Sequence, residues 1–194
     1  EYFANYFLHM SDVTFDMQNN TMEVHKKSAE PWKITLVDTG LDTMTGGRLK
    51  KIKKYVENET FCFTYGDGLS DLSIKDLLDF HNKQNNLCTV TAVQPPGRFG
   101  SLNIKKDKII NFQEKPLGDG NWINGGYFVL EEGVFDYIEN DQIIWERDPL
   151  ETLAKNSELS AYKHHGYWNA MDTLRDKNSM EELWKNNKAP WKVW

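Results

Sequence analysis

Thr60-Phe61-Cys62-Phe63-Thr64-Tyr65-Gly66-Asp67-Gly68 is a short run of aromatic and β-branched residues that stops abruptly at an aspartate held between two glycines. A run of this length and kind, bounded by turn residues, predicts a strand covered on both faces. In open parallel sheets ligands gather outside the carboxyl ends of such strands, which would put Asp67 at an active-site edge. Glycines at 66 and 68 let a ligand approach the backbone. A carboxylate there suits a hard cation such as Mg²⁺, which takes one or two carboxylates together with substrate phosphates. Asp67-Gly68 also reads as a plain turn.

Downstream, Ser73 and Asp76 make a capping-box pattern ahead of Ile74, Leu77, Leu78 and His81, and Leu87 to Val93 is again strand-like. Strand, helix and strand in succession predict a βαβ unit with parallel strands. Upstream, Gly46-Gly47 leads into a helix with Leu49, Ile52 and Val56 on one face. Trp32 to Val37 reads as a strand, as do Val13 to Phe15 and Met22 to His25 on either side of the polar turn Gln18-Asn19-Asn20. Asp148-Pro149 has the cap-then-proline arrangement of a helix start, and Leu159 to Lys163 returns as a strand.

A second carboxylate stands in Trp168-Asn169-Ala170-Met171-Asp172-Thr173-Leu174-Arg175-Asp176, which opens the last helix. Thr173 with Asp176 forms a capping box of its own, which leaves Asp172 just outside the helix and available for other work. Two aspartates, one after a strand and one before a helix, make a cradle for a metal carrying phosphates. A third element is Ile109-Ile110-Asn111-Phe112-Gln113-Glu114-Lys115-Pro116, which pairs with Ser101 to Lys105 across Lys106-Asp107 as a hairpin. Glu114-Lys115 at its end reads equally as a solvated ion pair. Ile123-Asn124-Gly125-Gly126-Tyr127-Phe128-Val129-Leu130 then opens a buried strand with a glycine pair.

In this order, Tyr65-Gly66-Asp67-Gly68, Phe112-Gln113-Glu114-Lys115-Pro116, Ile123-Asn124-Gly125-Gly126-Tyr127-Phe128 and Met171-Asp172-Thr173-Leu174-Arg175-Asp176 resemble the motifs of the sugar-phosphate nucleotidyltransferases, in particular those that use CTP and glucose 1-phosphate. Glu30-Pro31-Trp32, Leu36 to Gly40, Met44 to Leu49, Pro95 to Gly100 and Ala189 to Lys192 extend the likeness over nearly the whole chain. The resemblance implies an α/β, Rossmann-like, three-layer fold: a mainly parallel sheet with a small antiparallel hairpin insertion, in one catalytic domain spanning 1–194. It also implies transfer from CTP to glucose 1-phosphate, giving CDP-glucose for deoxysugar and surface-polysaccharide synthesis. Catalysis would then be positioning and charge neutralisation, because a phosphate monoester with second pKa about 6 is already largely dianionic.

By the same resemblance Asp67 and Asp172 hold Mg²⁺, Lys115 meets the sugar phosphate, and Glu114 takes sugar hydroxyls. Gly125 and Gly126 let the sugar lie against backbone, and Thr43, Arg48 and Gly66 border the nucleotide. Arg48 donors match the O2 and N3 acceptors of cytosine, whereas uracil and thymine carry a hydrogen on N3. Use of UTP or dTTP, and a non-catalytic binding module, are the competing readings. The family's opening strand and glycine-rich phosphate loop have no counterpart here, so the chain alone is expected not to turn over CTP. A homo-oligomer is the family's habit.

Composition narrows the alternatives. A net charge of −6 argues against nucleic acid. The hydrophobic fraction of 39% is modest, but 7 Trp, 8 Tyr and 10 Phe supply large units for a core. Cys62 and Cys88 lack metal-ligand spacing and read as reduced core residues of a cytoplasmic protein. No apolar segment approaches a membrane span of roughly 20 residues, and no signal peptide precedes the first helix. Adjacent His164 and His165 would point to opposite sides of a strand, which disfavours joint metal binding. His9, His25 and His81 stand isolated, and Trp184, Trp191 and Trp194 read as a packing surface or subunit contact.

Overall fold

A computed structural model describes residues 2–28, 30–95, 97, 100–114, 116–117 and 121–193. The chain forms two compact units, Glu1–Asp38 and Thr39–Trp194. In the smaller, helix α1 (Tyr2–His9) precedes an antiparallel hairpin of β1 (Ser11–Asp16) and β2 (Thr21–Lys27). Asp16 Oδ1 accepts from the N–H groups of Gln18 and Asn19, both at 3.0 Å, and Asn20 takes the left-handed conformation, so the expected polar turn forms. Trp32 to Val37 is irregular rather than a strand. Its β-branched and aromatic composition has no partner strand among the described residues, and composition without a ladder does not make a strand.

The larger unit is built on a four-stranded sheet in the order β3 (Phe61–Thr64), β8 (Ile123–Leu130), β5 (Cys88–Val93), β9 (Leu159–Lys163). Strands β3, β5 and β9 run the same way, and β8 runs against its neighbours β3 and β5. The predicted βαβ unit therefore has its parallel direction and its helix α3 (Ile74–Gln84), but β8 lies between its two strands. β8 returns from β5 through a hairpin rather than a crossover helix, and that connection permits an antiparallel return.

Alternation along β8 assigns the two faces. Phe128 and Leu130 join Cys88 of β5, Leu49 of α2 (Thr45–Lys51), Val134 and Phe135 of a 3-10 turn at Glu132–Tyr137, Ile138 and Trp145 after that turn, and Leu153 of α4 (Asp148–Lys155). Val129 faces the other way, onto Leu72 and Leu77 with Tyr127, Leu78 and Tyr162, the layer that holds α3. Helices on both faces give the three layers. Gly46 and Gly47 are needed by packing, since a Cβ would fall 2.8 Å from the Ile143 carbonyl oxygen and 2.6 Å from the Asp141 Cα.

The strand covered on both faces is β5, not β3. Cys88, Thr89 and Thr91 are fully buried, whereas β3 is an edge strand whose Phe61 and Phe63 face inward and whose Cys62 and Thr64 are exposed. Cys62 is therefore not a core residue. Asp148 is the first residue of α4 rather than its cap, with Pro149 behind it. The hairpin of β6 (Ser101–Lys105) and β7 (Lys108–Gln113) forms in the expected register, Lys105 opposite Lys108, and β7 is exposed throughout. Trp191 is buried against Tyr167 at 5.5 Å between ring centres, Trp184 is half exposed, and Trp194 lies outside the described residues. Among the described residues no helix is long and apolar enough to cross a membrane.

Candidate active site

The chain beyond β3 does not simply turn at Asp67. It continues into β4 (Gly68–Ser70), which pairs antiparallel with β10 (Trp168–Ala170), Gly68 opposite Ala170 and Ser70 opposite Trp168. One rung further, the Met171 N–H donates to the Asp67 carbonyl at 2.8 Å. Asp67 and Asp172 thus leave the same end of one two-stranded ribbon, and both are exposed. The capping box ahead of α5 (Leu174–Lys185) is complete: Thr173 Oγ1 accepts from the Asp176 N–H at 3.2 Å and Asp176 Oδ2 accepts from the Thr173 N–H at 3.0 Å. The helix start is satisfied without Asp172, as predicted.

Beside the ribbon is a cleft of about 630 Å³, walled by β10, by Val93 at the end of β5 with Gln94 and Pro95 after it, and by Ile123 at the start of β8. Asp172 and Arg175 line it, as does Leu117 just beyond the hairpin; of the two aspartates, Asp172 is the one in its wall. Glu114 sits at the hairpin end, close enough to Gly100 that a Cβ there would meet its Oε2 at 3.2 Å. Lys115 lies outside the described residues.

Thr43 and Arg48 form a separate group. The buried Thr43 hydroxyl donates to the Thr39 carbonyl at 2.5 Å and accepts from Lys51 Nζ at 3.1 Å, and Lys51 is paired with Asp141 at 2.6 Å. Arg48 donates to Thr39 Oγ1 at 2.5 Å and to the Leu41 carbonyl at 3.1 Å. Both residues therefore brace the loop ahead of α2.

The sequence over residues 11–189 matches the nucleotidyl transferase pattern. The chain belongs to the nucleotidyl transferase family. It is 59% identical to the glucose-1-phosphate cytidylyltransferase of Salmonella typhimurium and 38% identical to the probable glucose-1-phosphate cytidylyltransferase of Bacillus subtilis, in each case over 100% of this chain and 76% of the relative. Its fold is similar to the crystal structure of a putative glucose-1-phosphate thymidylyltransferase from Bacillus anthracis, with a TM-score of 0.54 at 21% identity over 74% of this chain and 62% of that one.

Within this nucleotidyl transferase the glycine pair has a packing reason of its own. A Cβ on Gly125 would meet Val93 Cγ1 at 2.9 Å, and on Gly126, at φ +75°, the Tyr65 ring at 2.6 Å. Gly66 faces open space, with nothing within 4 Å of where a Cβ would lie. Glu146 was not singled out by the sequence, yet it accepts from Thr45 Oγ1 at 2.7 Å and from the Tyr65 hydroxyl at 2.5 Å. That bridge links the start of α2 to the end of β3. Burial, and then the bond to Glu146, push the Tyr65 phenol well above its ordinary range, so it remains a neutral donor. Arg175 was also passed over, because a charge in the first turn of a helix looks like surface.

Proposed function

We propose that this nucleotidyl transferase moves the cytidylyl group of CTP onto glucose 1-phosphate, forming CDP-glucose and pyrophosphate. An oxygen of the sugar phosphate bonds to the α-phosphorus while the bond from that phosphorus to the bridging oxygen breaks, and the electron pair departs with pyrophosphate. The observation that carries the reading is the Met171 N–H to Asp67 carbonyl bond of 2.8 Å, which joins the two stretches of backbone that bear Asp67 and Asp172 at one end of the ribbon. Among the described residues no group of three or more His, Cys, Asp or Glu side chains could hold a metal. A carboxylate pair completed by phosphate oxygens is the donor set that Mg²⁺ accepts, so Asp67 and Asp172 fit it. When bound there, Mg²⁺ offsets the charge that builds as two phosphate anions approach.

The chain's own residues supply position. Arg175 is a cation in the first turn of α5, where the helix dipole disfavours positive charge, and it faces the cleft. An anionic oxygen in the cleft gives that charge a partner. Arg48 would bias the site toward cytosine, and Lys115 would compensate the sugar phosphate. On the same reading the protein works in the cytoplasm as a homo-oligomer, which sedimentation would check. The test of function is pyrophosphate release by the gene's full product from CTP, UTP or dTTP with glucose 1-phosphate, with the nucleotide sugar identified by mass. CTP should be strongly preferred. Preference for UTP or dTTP would replace the cytidylyl assignment.

A further inference from the structure

At the end of the ribbon opposite Asp67 lies a polar cluster with no part in the chemistry above. His164 Nε2 is 2.9 Å from Asp71 Oδ1, 3.1 Å from Ser70 Oγ and 3.3 Å from the Tyr167 carbonyl. Carboxylates and carbonyls only accept, so Nε2 carries the hydrogen and donates. Ser70 Oγ in turn donates to the Tyr167 carbonyl at 2.8 Å and accepts from the Leu72 N–H at 3.2 Å. A nucleophilic triad needs serine on one ring nitrogen and aspartate on the other. Here both meet Nε2, which rules that chemistry out.

The cluster is built for holding instead. The side chains of His164 and Asp71 are 11% and 31% exposed, so a charge-assisted hydrogen bond is partly sheltered from water. Gly166 lies directly against it: a Cβ there would fall 2.3 Å from Asp71 Oδ1 and 2.7 Å from His164 Cε1. No side chain can stand at 166 without prising the pair apart. Asp71 follows β4, and its N–H donates to the carbonyl of Tyr167, which precedes β10, at 3.2 Å; the His164 N–H is tied to the Ala92 carbonyl of β5 at 2.9 Å. One imidazole therefore joins both ribbon strands to the rigid sheet. We infer that His164 and Asp71 are positioning residues whose contact holds β4 and β10 in the register that pairs Asp67 with Met171 and brings Asp172 to the same end of the ribbon. Its consequence for metal binding rests on the reading of those two aspartates given above.

Asp71→Asn, His164→Gln and Gly166→Ala test this in the full chain, beside Glu131→Gln, which disturbs a second histidine–carboxylate pair, the buried His81 with the part-exposed Glu131 at 3.0 Å. Two readouts are used: hydrogen exchange of the Met171 amide, and Mn²⁺ binding, as a stand-in for Mg²⁺, by electron paramagnetic resonance. In the three brace variants Met171 should exchange about tenfold faster or more while β8 amides stay protected. Mn²⁺ affinity should fall about tenfold, the lower end of what outer-shell partners of metal ligands contribute. Glu131→Gln should change neither. Protected β8 amides certify the fold, and the near-isosteric Asp71→Asn carries the test if the others unfold. Unchanged Met171 exchange overturns the inference, as does unchanged Mn²⁺ affinity where Asp172→Asn abolishes binding. Mn²⁺ binding that survives Asp172→Asn removes the metal reading alone, and Met171 exchange still decides the brace.

Discussion

The central sheet and the β4–β10 ribbon both bring distant stretches of chain together, but by different forces. In the sheet, Phe128, Val129 and Leu130 are at most 1% exposed and are held by apolar area removed from water, a force without direction. In the ribbon every residue is only half-buried, and the attachments are single hydrogen bonds. The Tyr127 hydroxyl donates to the Gly68 carbonyl at 2.7 Å, Trp168 Nε1 to the Gly125 carbonyl at 2.7 Å, and the Met171 N–H to the Asp67 carbonyl at 2.8 Å. Stability is thus vested in the sheet and the geometry of the site in the ribbon. Substitutions in the two regions should separate the two properties.

The largest expected effect is on the sheet side. Phe128→Ala, in the middle of β8, should cost about 3–5 kcal/mol in urea unfolding through lost burial and the cavity left behind. A loss below about 1 kcal/mol would mean the core does not carry the larger unit. Next is Asp172→Asn, which should lower nucleotidyl transfer by the full gene product on the order of 10²–10³-fold while leaving stability within about 0.5 kcal/mol. If unfolding moved and transfer did not, Asp172 would be an ordinary helix-start residue.

Two smaller changes probe the ribbon itself. Trp168→Phe keeps an aromatic side chain but replaces the indole and its N–H, which leaves the Gly125 carbonyl without that donor, a cost of about 1–2 kcal/mol from the hydrogen bond. Amides of the ribbon should exchange faster with those of β8 unaffected. An equal loss across the sheet would dissolve the distinction between the two regions. Tyr127→Phe, which undocks β4 from β8, should cost about 1 kcal/mol. It should also soften the alkaline fall in stability: burial raises the Tyr127 phenol above the ordinary range of a free phenol, so its contribution is complete below that range and is lost as pH rises through the folded value. A Tyr127→Phe variant with the same alkaline profile as the wild type would show that the hydroxyl does not hold the ribbon.

Much of this was legible in the chain. The capping box of Thr173 and Asp176, the helix after Ser73 and the hairpin turn at Lys106-Asp107 are local: each is settled by residues within a few positions of one another, and each forms as the pattern predicts. Strand environment was not legible in the same way. Phe61-Cys62-Phe63-Thr64 looks continuous in apolarity, yet it alternates in burial because only the face bearing Phe61 and Phe63 is packed on the core, and the elements that cover a face come from elsewhere in the chain. β10 was hidden inside what read as a helix approach. A strand of three residues, paired among the described residues with β4, leaves almost no periodic trace.

For the candidate site the division is similar. Sequence by itself determined the family likeness, the two aspartates, and the freedom of Asp172 from helix capping, since motif order and cap chemistry are properties of the chain read along its length. Only the tertiary structure decided that the backbones of Asp67 and Met171 pair at the end of one ribbon, that Val93 and Tyr65 occupy the space beside Gly125 and Gly126, that Glu146 bridges Thr45 and Tyr65, that Arg175 lines the cleft and that His164 meets Asp71. The physical reason is that a hydrogen bond between distant residues depends on where two backbones lie in space. That placement follows from burying the sheet as a whole, and no short window of sequence encodes it.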